Sequence, residues 1–193
     1  MTAADRFQSA IEKLADDTAR TARRIANRRN ITKAAKAEQL ATLINRANAA
    51  AVTLGDSYTT LQLESLTGQP APAKGVLPTD ESERLLQAAR TALEDRDTAL
   101  ERIERLARSE TLGTAQSTVT NALDGTPRTR GGYIGWTRQL NARACEVCQR
   151  WERGGRVWPA DHYMPRHPNC ACVQQLVITT TKPKPVRRRR NTP

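Results

Sequence analysis

Cys145-Glu146-Val147-Cys148, followed after a short stretch by Pro165-Arg166-His167-Pro168-Asn169-Cys170-Ala171-Cys172, is the part of the sequence that decides how the C-terminal third folds. It contains all four cysteines of the chain and one of its two histidines. A Cys-x-x-Cys turn aims two thiolates at one point, and a second close-spaced group after a loop of zinc-finger length closes a tetrahedron. Five side chains compete for four places: Cys145, Cys148, His167, Cys170 and Cys172. The first two and Cys170 are the firmest ligands, and His167 is favoured over Cys172 for the last place because Pro168 stiffens the turn between His167 and Cys170. Zinc is the expected cofactor. A zinc closed by four protein ligands holds a fold together and activates no water.

Other uses of these cysteines are unligated burial, a thioredoxin-like redox pair, and disulfides. The redox motif requires βαβ surroundings that the flanking sequence lacks, and a reducing cytosol favours metal ligation over disulfides. The segment is poor in long apolar runs yet carries Tyr133, Trp136, Trp151, Trp158 and Tyr163, five of the seven aromatic residues. These are expected to pack a small irregular α+β module, residues 125–178, whose folding leans on the metal.

Outward from this module the chain reads as mainly α. Leu, Ile, Val and Phe contribute only 33 of 193 residues, whereas alanine alone contributes 28. Alanine favours helix but buries little surface, so thin helices that lean on neighbours are expected, with no large core. Phe7, Ile11, Leu14 and Ile25 fall at helical spacing over residues 3–29. Leu40, Leu43, Ile44, Ala47, Ala51 and Leu54 line a second helix, which Gly55 is expected to stop. Together these make an N-terminal helical region over residues 1–67. Between the stripes runs a set of cations, Arg20 to Lys36, without an acid; either a phosphate site or a solvated face accounts for it.

Residues 68–79, with three prolines and two glycines, form a linker. From about Asp80 one long helix is expected to reach Thr111 or beyond, within a unit spanning residues 80–124. Leu86, Leu93, Leu100 and Ala107 recur every seven residues. That seam suits a coiled-coil partner, and it equally suits packing on the N-terminal helices of the same chain.

The net charge of +11 is not spread evenly. Residues 1–127 hold 17 basic and 17 acidic side chains, and residues 128–193 hold 14 basic against 3 acidic. A polyanionic partner for the C-terminal third follows, with DNA foremost. Its last stretch, residues 179–193, reads as a disordered basic tail in which Lys182, Lys184, Arg187, Arg188, Arg189 and Arg190 would meet phosphates without reading bases. No apolar run is long enough for a membrane helix, and the start lacks the pattern of a signal peptide.

Asp161-His162 beside paired cysteines invites comparison with HNH endonucleases, where such a His is the general base. Here His167 and Cys170 follow too closely to leave room for the rest of that site, so His162 reads as a loop residue and no catalysis is expected.

A different likeness is fuller. Ala107-Arg108-Ser109-Glu110-Thr111, then Trp136-Thr137-Arg138, the pair Cys145 and Cys148, and the His167-Pro168-Asn169-Cys170-Ala171-Cys172 ending resemble the phage Mu F-like minor head proteins, a phage head morphogenesis family. The likeness covers about residues 100–177, with Ala171 where the family has Arg and Ser109 where it has Thr. It implies a non-enzymatic minor capsid protein inside the phage head, formed in the host cytoplasm. Its implied partners are the portal protein, other head proteins and packaged DNA, with no membrane and no small-molecule substrate. The alternative is a small zinc-containing regulatory or DNA-processing protein.

Overall fold

The structure is a computed structural model, and it describes residues 2–125, 128–129 and 131–185. Five helices, α1 (Ala3–Ala26), α2 (Lys33–Thr67), α3 (Ser82–Ala92), α4 (Ala99–Leu123) and α5 (Glu146–Glu152), accompany four strands. The strands are β1 (Arg128–Thr129), β2 (Gly132–Gln139), β3 (Trp158–Pro159) and β4 (Val173–Thr179). The mainly helical reading holds. Thr2 starts α1 with a capping box, its hydroxyl accepting from Asp5 N–H while the Asp5 carboxylate accepts from Thr2 N–H.

Three expectations are corrected. Gly55 does not stop α2, which continues to Thr67 and ends at Gly68 in the left-handed region, φ 65°. Gly55 serves instead as a close approach of α2 to α4: a Cβ there would lie 2.8 Å from Thr118 Cβ and 3.0 Å from the Ala115 carbonyl oxygen. The first helix ends at Ala26, short of residue 29. The single helix expected from Asp80 is two helices, α3 and α4, broken between Ala92 and Ala99. At the break, the Asp95 carboxylate accepts from Asp97 N–H (3.0 Å) and from the Thr98 hydroxyl (2.7 Å), a local turn that competes with helical hydrogen bonding.

The heptad stripe is consumed within the chain. Leu93 and Ala107 are buried, and Leu86 and Leu100 pack against them, in a cluster with Ile25, Leu40, Ile44, Leu85 and Ile103 drawn from α1, α2, α3 and α4. A second cluster joins Phe7, Ile11, Tyr58, Leu112, Val119 and Leu123 of the helices to Ile134, Trp136, Val173 and Leu176 of the strands. Phe7 and Tyr58 stack at 4.2 Å, and the Tyr58 hydroxyl donates to the Gln174 carbonyl at 2.7 Å, so α2 is tied to β4. Of the cations between the first two helices, Arg23 pairs with Glu104 at 2.9 Å, Arg28 donates to Gln39 and Lys36 to the Ala26 carbonyl.

Residues 68–79 contain no helix or strand, as their prolines require, but they are anchored. The nearly buried Asp56 carboxylate accepts from the backbone N–H groups of Lys74 (3.2 Å), Gly75 (2.9 Å) and Val76 (3.3 Å). The segment is a strap laid over α2.

The C-terminal segment is more regular than its sequence suggested. β2 pairs antiparallel with β4 from Tyr133↔Thr179 to Gln139↔Val173, and with β1 and β3 along its other edge. Gly132 supports this with φ 139° and no room for a side chain: a Cβ would lie 2.4 Å from the Thr179 carbonyl oxygen. Lys182 and Lys184 are exposed beyond β4, and Arg187, Arg188, Arg189 and Arg190 lie outside the described residues.

Gly55→Ala should push α2 from α4 and lower stability by about 1–3 kcal/mol, the usual cost of overpacking a tight contact. Urea denaturation monitored by circular dichroism measures it. An unchanged midpoint would show that the two helices part without cost.

Candidate metal centre

The cluster is assembled by three separate pieces of chain. Cys145 caps α5, with φ −73° and ψ 166°, and Cys148 lies one turn inside it. His167 and Cys170 belong to a turn closed by Cys170 N–H donating to the His167 carbonyl at 3.1 Å. Asn169 takes φ 62° within it, a left-handed conformation that Asn tolerates better than most residues. Cys172 directly precedes β4.

These pieces bring all five predicted ligands together. His167 Nε2 lies 3.0 Å from Cys148 Sγ and 3.3 Å from Cys145 Sγ, and Cys148 Sγ lies 3.5 Å from Cys170 Sγ. Two groups of metal-ligating atoms overlap at Cys148: Cys145, Cys148 and His167 form one, and Cys148, Cys170 and Cys172 the other. No disulfide joins them. Cys172 Sγ accepts the Asn141 N–H at 3.5 Å, and both it and Cys170 lie outside the group that contains His167. The cluster therefore suits a metal ion, with His167 beside Cys145 and Cys148 in one group and Cys170 and Cys172 together with Cys148 in the other.

Surrounding groups orient the ligands. His167 Nδ1 sits 2.9 Å from the Pro168 carbonyl oxygen, an arrangement that places the ring proton on Nδ1 and leaves Nε2 to face the thiols. Arg138, almost fully buried, donates to the Pro165 carbonyl and approaches Cys170 Sγ at 3.9 Å. The Trp151 ring lies 6.0 Å from His167 and 5.4 Å from the Arg138 guanidinium.

Nothing in the residue pattern marks the clamp that presses the Cys-x-Cys segment onto the helices. Gln116 Nε2 on α4 donates to the carbonyls of Cys170 (2.6 Å) and Cys172 (2.9 Å), and Gln8 Nε2 on α1 donates to that of Ala171 (2.8 Å). Ser109 Oγ on α4 accepts the Asn169 N–H at 3.0 Å. A buried glutamine looks like any other helical glutamine in a sequence, and only proximity across the fold reveals its use.

The thiols do not share one protonation behaviour. Backbone N–H groups of Cys148 and Val147 favour the thiolate of Cys145, lowering its pKa. The Cys170 thiol is pulled down to about 5, chiefly by a hydrogen bond from Cys172. Burial pushes Cys148 up to about 12, assisted by the adjacent Cys170 thiolate, and the bond to Cys170 together with burial raises Cys172 as well. Such a crowd of sulfurs cannot ionise together by itself, and a divalent cation removes that conflict by taking the place of the protons.

His162 lies apart from the cluster, stacked flat on Trp158 at 4.4 Å while its carbonyl accepts from Trp136 Nε1 at 3.1 Å. Burial lowers its pKa. Trp136 and Trp158 serve the core shared with the helices rather than a separate zinc core, and Trp151 is the tryptophan that touches the cluster. A cleft of about 790 Å³ lies elsewhere, between α2 and the strap. Comparison of the chain with family models, with curated proteins and with solved structures found no match.

Protein purified under reducing conditions should carry one metal ion per chain by elemental analysis. Cys148→Ser, which removes the sulfur common to both groups, should abolish it, while Cys172→Ser should retain it. Lowering the pH should release the ion, since protons compete for the thiolates. Metal lost from Cys172→Ser and retained by His167→Ala would give the fourth place to Cys172.

Proposed function

We propose that this chain is a zinc-stapled minor head protein of a tailed phage, a structural rather than catalytic component bound to the portal on the inner side of the head. Zinc fits the donor set of three thiolates and an imidazole better than a harder cation would. Cys145, Cys148, His167 and Cys170 would hold it, and it would supply cross-linking and charge neutralisation, with no open position for substrate. Cys172 would remain a hydrogen-bonded thiol beside it.

The observation that carries this reading is that the sequence stretches of the Mu F-like resemblance, far apart in the chain, meet in space. Ser109, in the Ala107–Thr111 stretch of α4, accepts from the backbone of the His-Pro-Asn-Cys turn, whose Cys170 faces the Cys145–Cys148 helix. Arg138 of the Trp-Thr-Arg element reaches the same cysteine. A motif that converges on one metal cluster and one helix is what a compact assembly module would require. The excess charge beyond residue 127 fits a place beside packaged DNA, held without sequence preference.

Co-expression with the portal protein of the same genome tests the reading. The chain should co-elute with assembled portal and appear in a few copies in purified heads by mass spectrometry. Elution apart from portal, together with tight binding to one defined duplex sequence, would replace it with the regulatory zinc-protein reading.

A further inference from the structure

The ion pairs seen among the described residues, such as Arg23–Glu104 and Arg84–Glu110, lie in the helical part of the chain. Beyond residue 127, Arg156 and Arg153 are set against neutral groups. The Arg156 guanidinium lies 4.6 Å from the centre of the Trp158 ring, and its Nη2 donates to the Lys184 carbonyl at 3.0 Å. Arg153 sits 5.8 Å from the centre of the same ring. The nearest carboxylate in sequence, Glu152, is occupied, accepting from the backbone N–H groups of Gly154 and Gly155. That turn is made possible by positive φ at Arg153, Gly154 and Gly155 (56°, 66° and 75°). A ring face and a carbonyl orient a guanidinium without cancelling its charge.

We infer that Arg153 and Arg156, set on Trp158 beside exposed Lys182 and Lys184, form a preorganised site for the phosphodiester backbone of duplex DNA. This rests on the DNA contact within the proposed function and deepens it. It places the contact on a fixed surface of the sheet module in addition to the terminal basic run. Trp158 itself is buried against His162 and Trp136, so it supports the arginines and offers no face for a base. Contact with phosphates and none with bases makes the site indifferent to sequence. Guanidiniums held in place lose less conformational freedom on binding than free side chains do, which favours planar, two-point contact with phosphate oxygens.

The test uses the full-length metal-loaded chain and a mixed-sequence duplex, with binding followed by fluorescence anisotropy between 50 and 200 mM salt. The double variant Arg153→Gln/Arg156→Gln should lose about tenfold or more in affinity at the lower salt. Its log–log salt slope should fall by about 2, at roughly 0.9 per phosphate contact. Arg24→Gln/Arg29→Gln removes the same charge from the far end of the helices and should leave both quantities nearly unchanged. Metal content and circular dichroism confirm that each variant is folded. Equal losses in the two double variants, or equal binding of wild type to polyglutamate, would reduce the effect to net charge and overturn the assigned site. Unaltered binding by Arg153→Gln/Arg156→Gln, with binding lost on deleting residues 182–193, would also overturn it and leave DNA contact to the tail. No DNA binding by the wild type would remove the DNA component of the proposed function along with this site, while the portal experiment stands independently.

Discussion

Helices that face one another with alanine approach more closely than helices that face one another with leucine, and this chain, rich in the first and short of the second, depends on that approach. Gly55 takes a point where no side chain fits, against Thr118 and Ala115. Close packing along the rest of the interface is sustained by Ala51 on α2 and by Ala115 and Ala122 on α4, all buried. Because dispersion attraction falls steeply with distance, small side chains at short range recover contact that large ones would supply at longer range. The position of α4 relative to α2 then decides where Gln116 and Ser109 point, and through them where the Cys-x-Cys segment lies.

The metal cluster and the helical core are thus parts of one arrangement. Cys170 and Cys172 face the cluster with their sulfurs while their carbonyls are bound to Gln116. Asn141, whose N–H faces Cys172, donates through its side chain to Glu12 on α1. A metal ion there would brace a β-sheet segment against two helices. This suits a sheet with no deep core of its own, whose buried aromatics share one cluster with the helices.

What the sequence made legible follows from the range of the interactions concerned. The ligand set is local on each side, two close-spaced groups with fixed chemistry, so Cys145, Cys148, His167, Cys170 and Cys172 could be named without the fold. Helical character followed from spacing and alanine content. The misread positions were those where a long-range contact overruled a local signal or a side chain changed the backbone. Gly55 has the look of a helix stop until Thr118 is seen opposite it. The break at Asp95 depends on one carboxylate choosing backbone partners, which a heptad count does not register. The strands were underestimated because Gly132 and Gly135, weak strand formers, sit in β2 where neighbouring backbone approaches too closely for any side chain.

The Asp56 carboxylate has a consequence for how the chain meets proteases. Lys74 lies in a proline-rich stretch with no regular structure, the kind of site that trypsin commonly cuts. Cleavage requires roughly ten residues to extend into the enzyme's groove, and here the N–H groups of Lys74, Gly75 and Val76 are all held by one nearly buried carboxylate. The Lys74 ammonium is itself bound to the Asp124 carbonyl at 3.0 Å, at the far end of α4. Opening the strap for digestion therefore exposes an uncompensated acid and frees the end of another helix. The chain between α2 and α3 is sealed by hydrogen bonding, although its composition is that of a hinge.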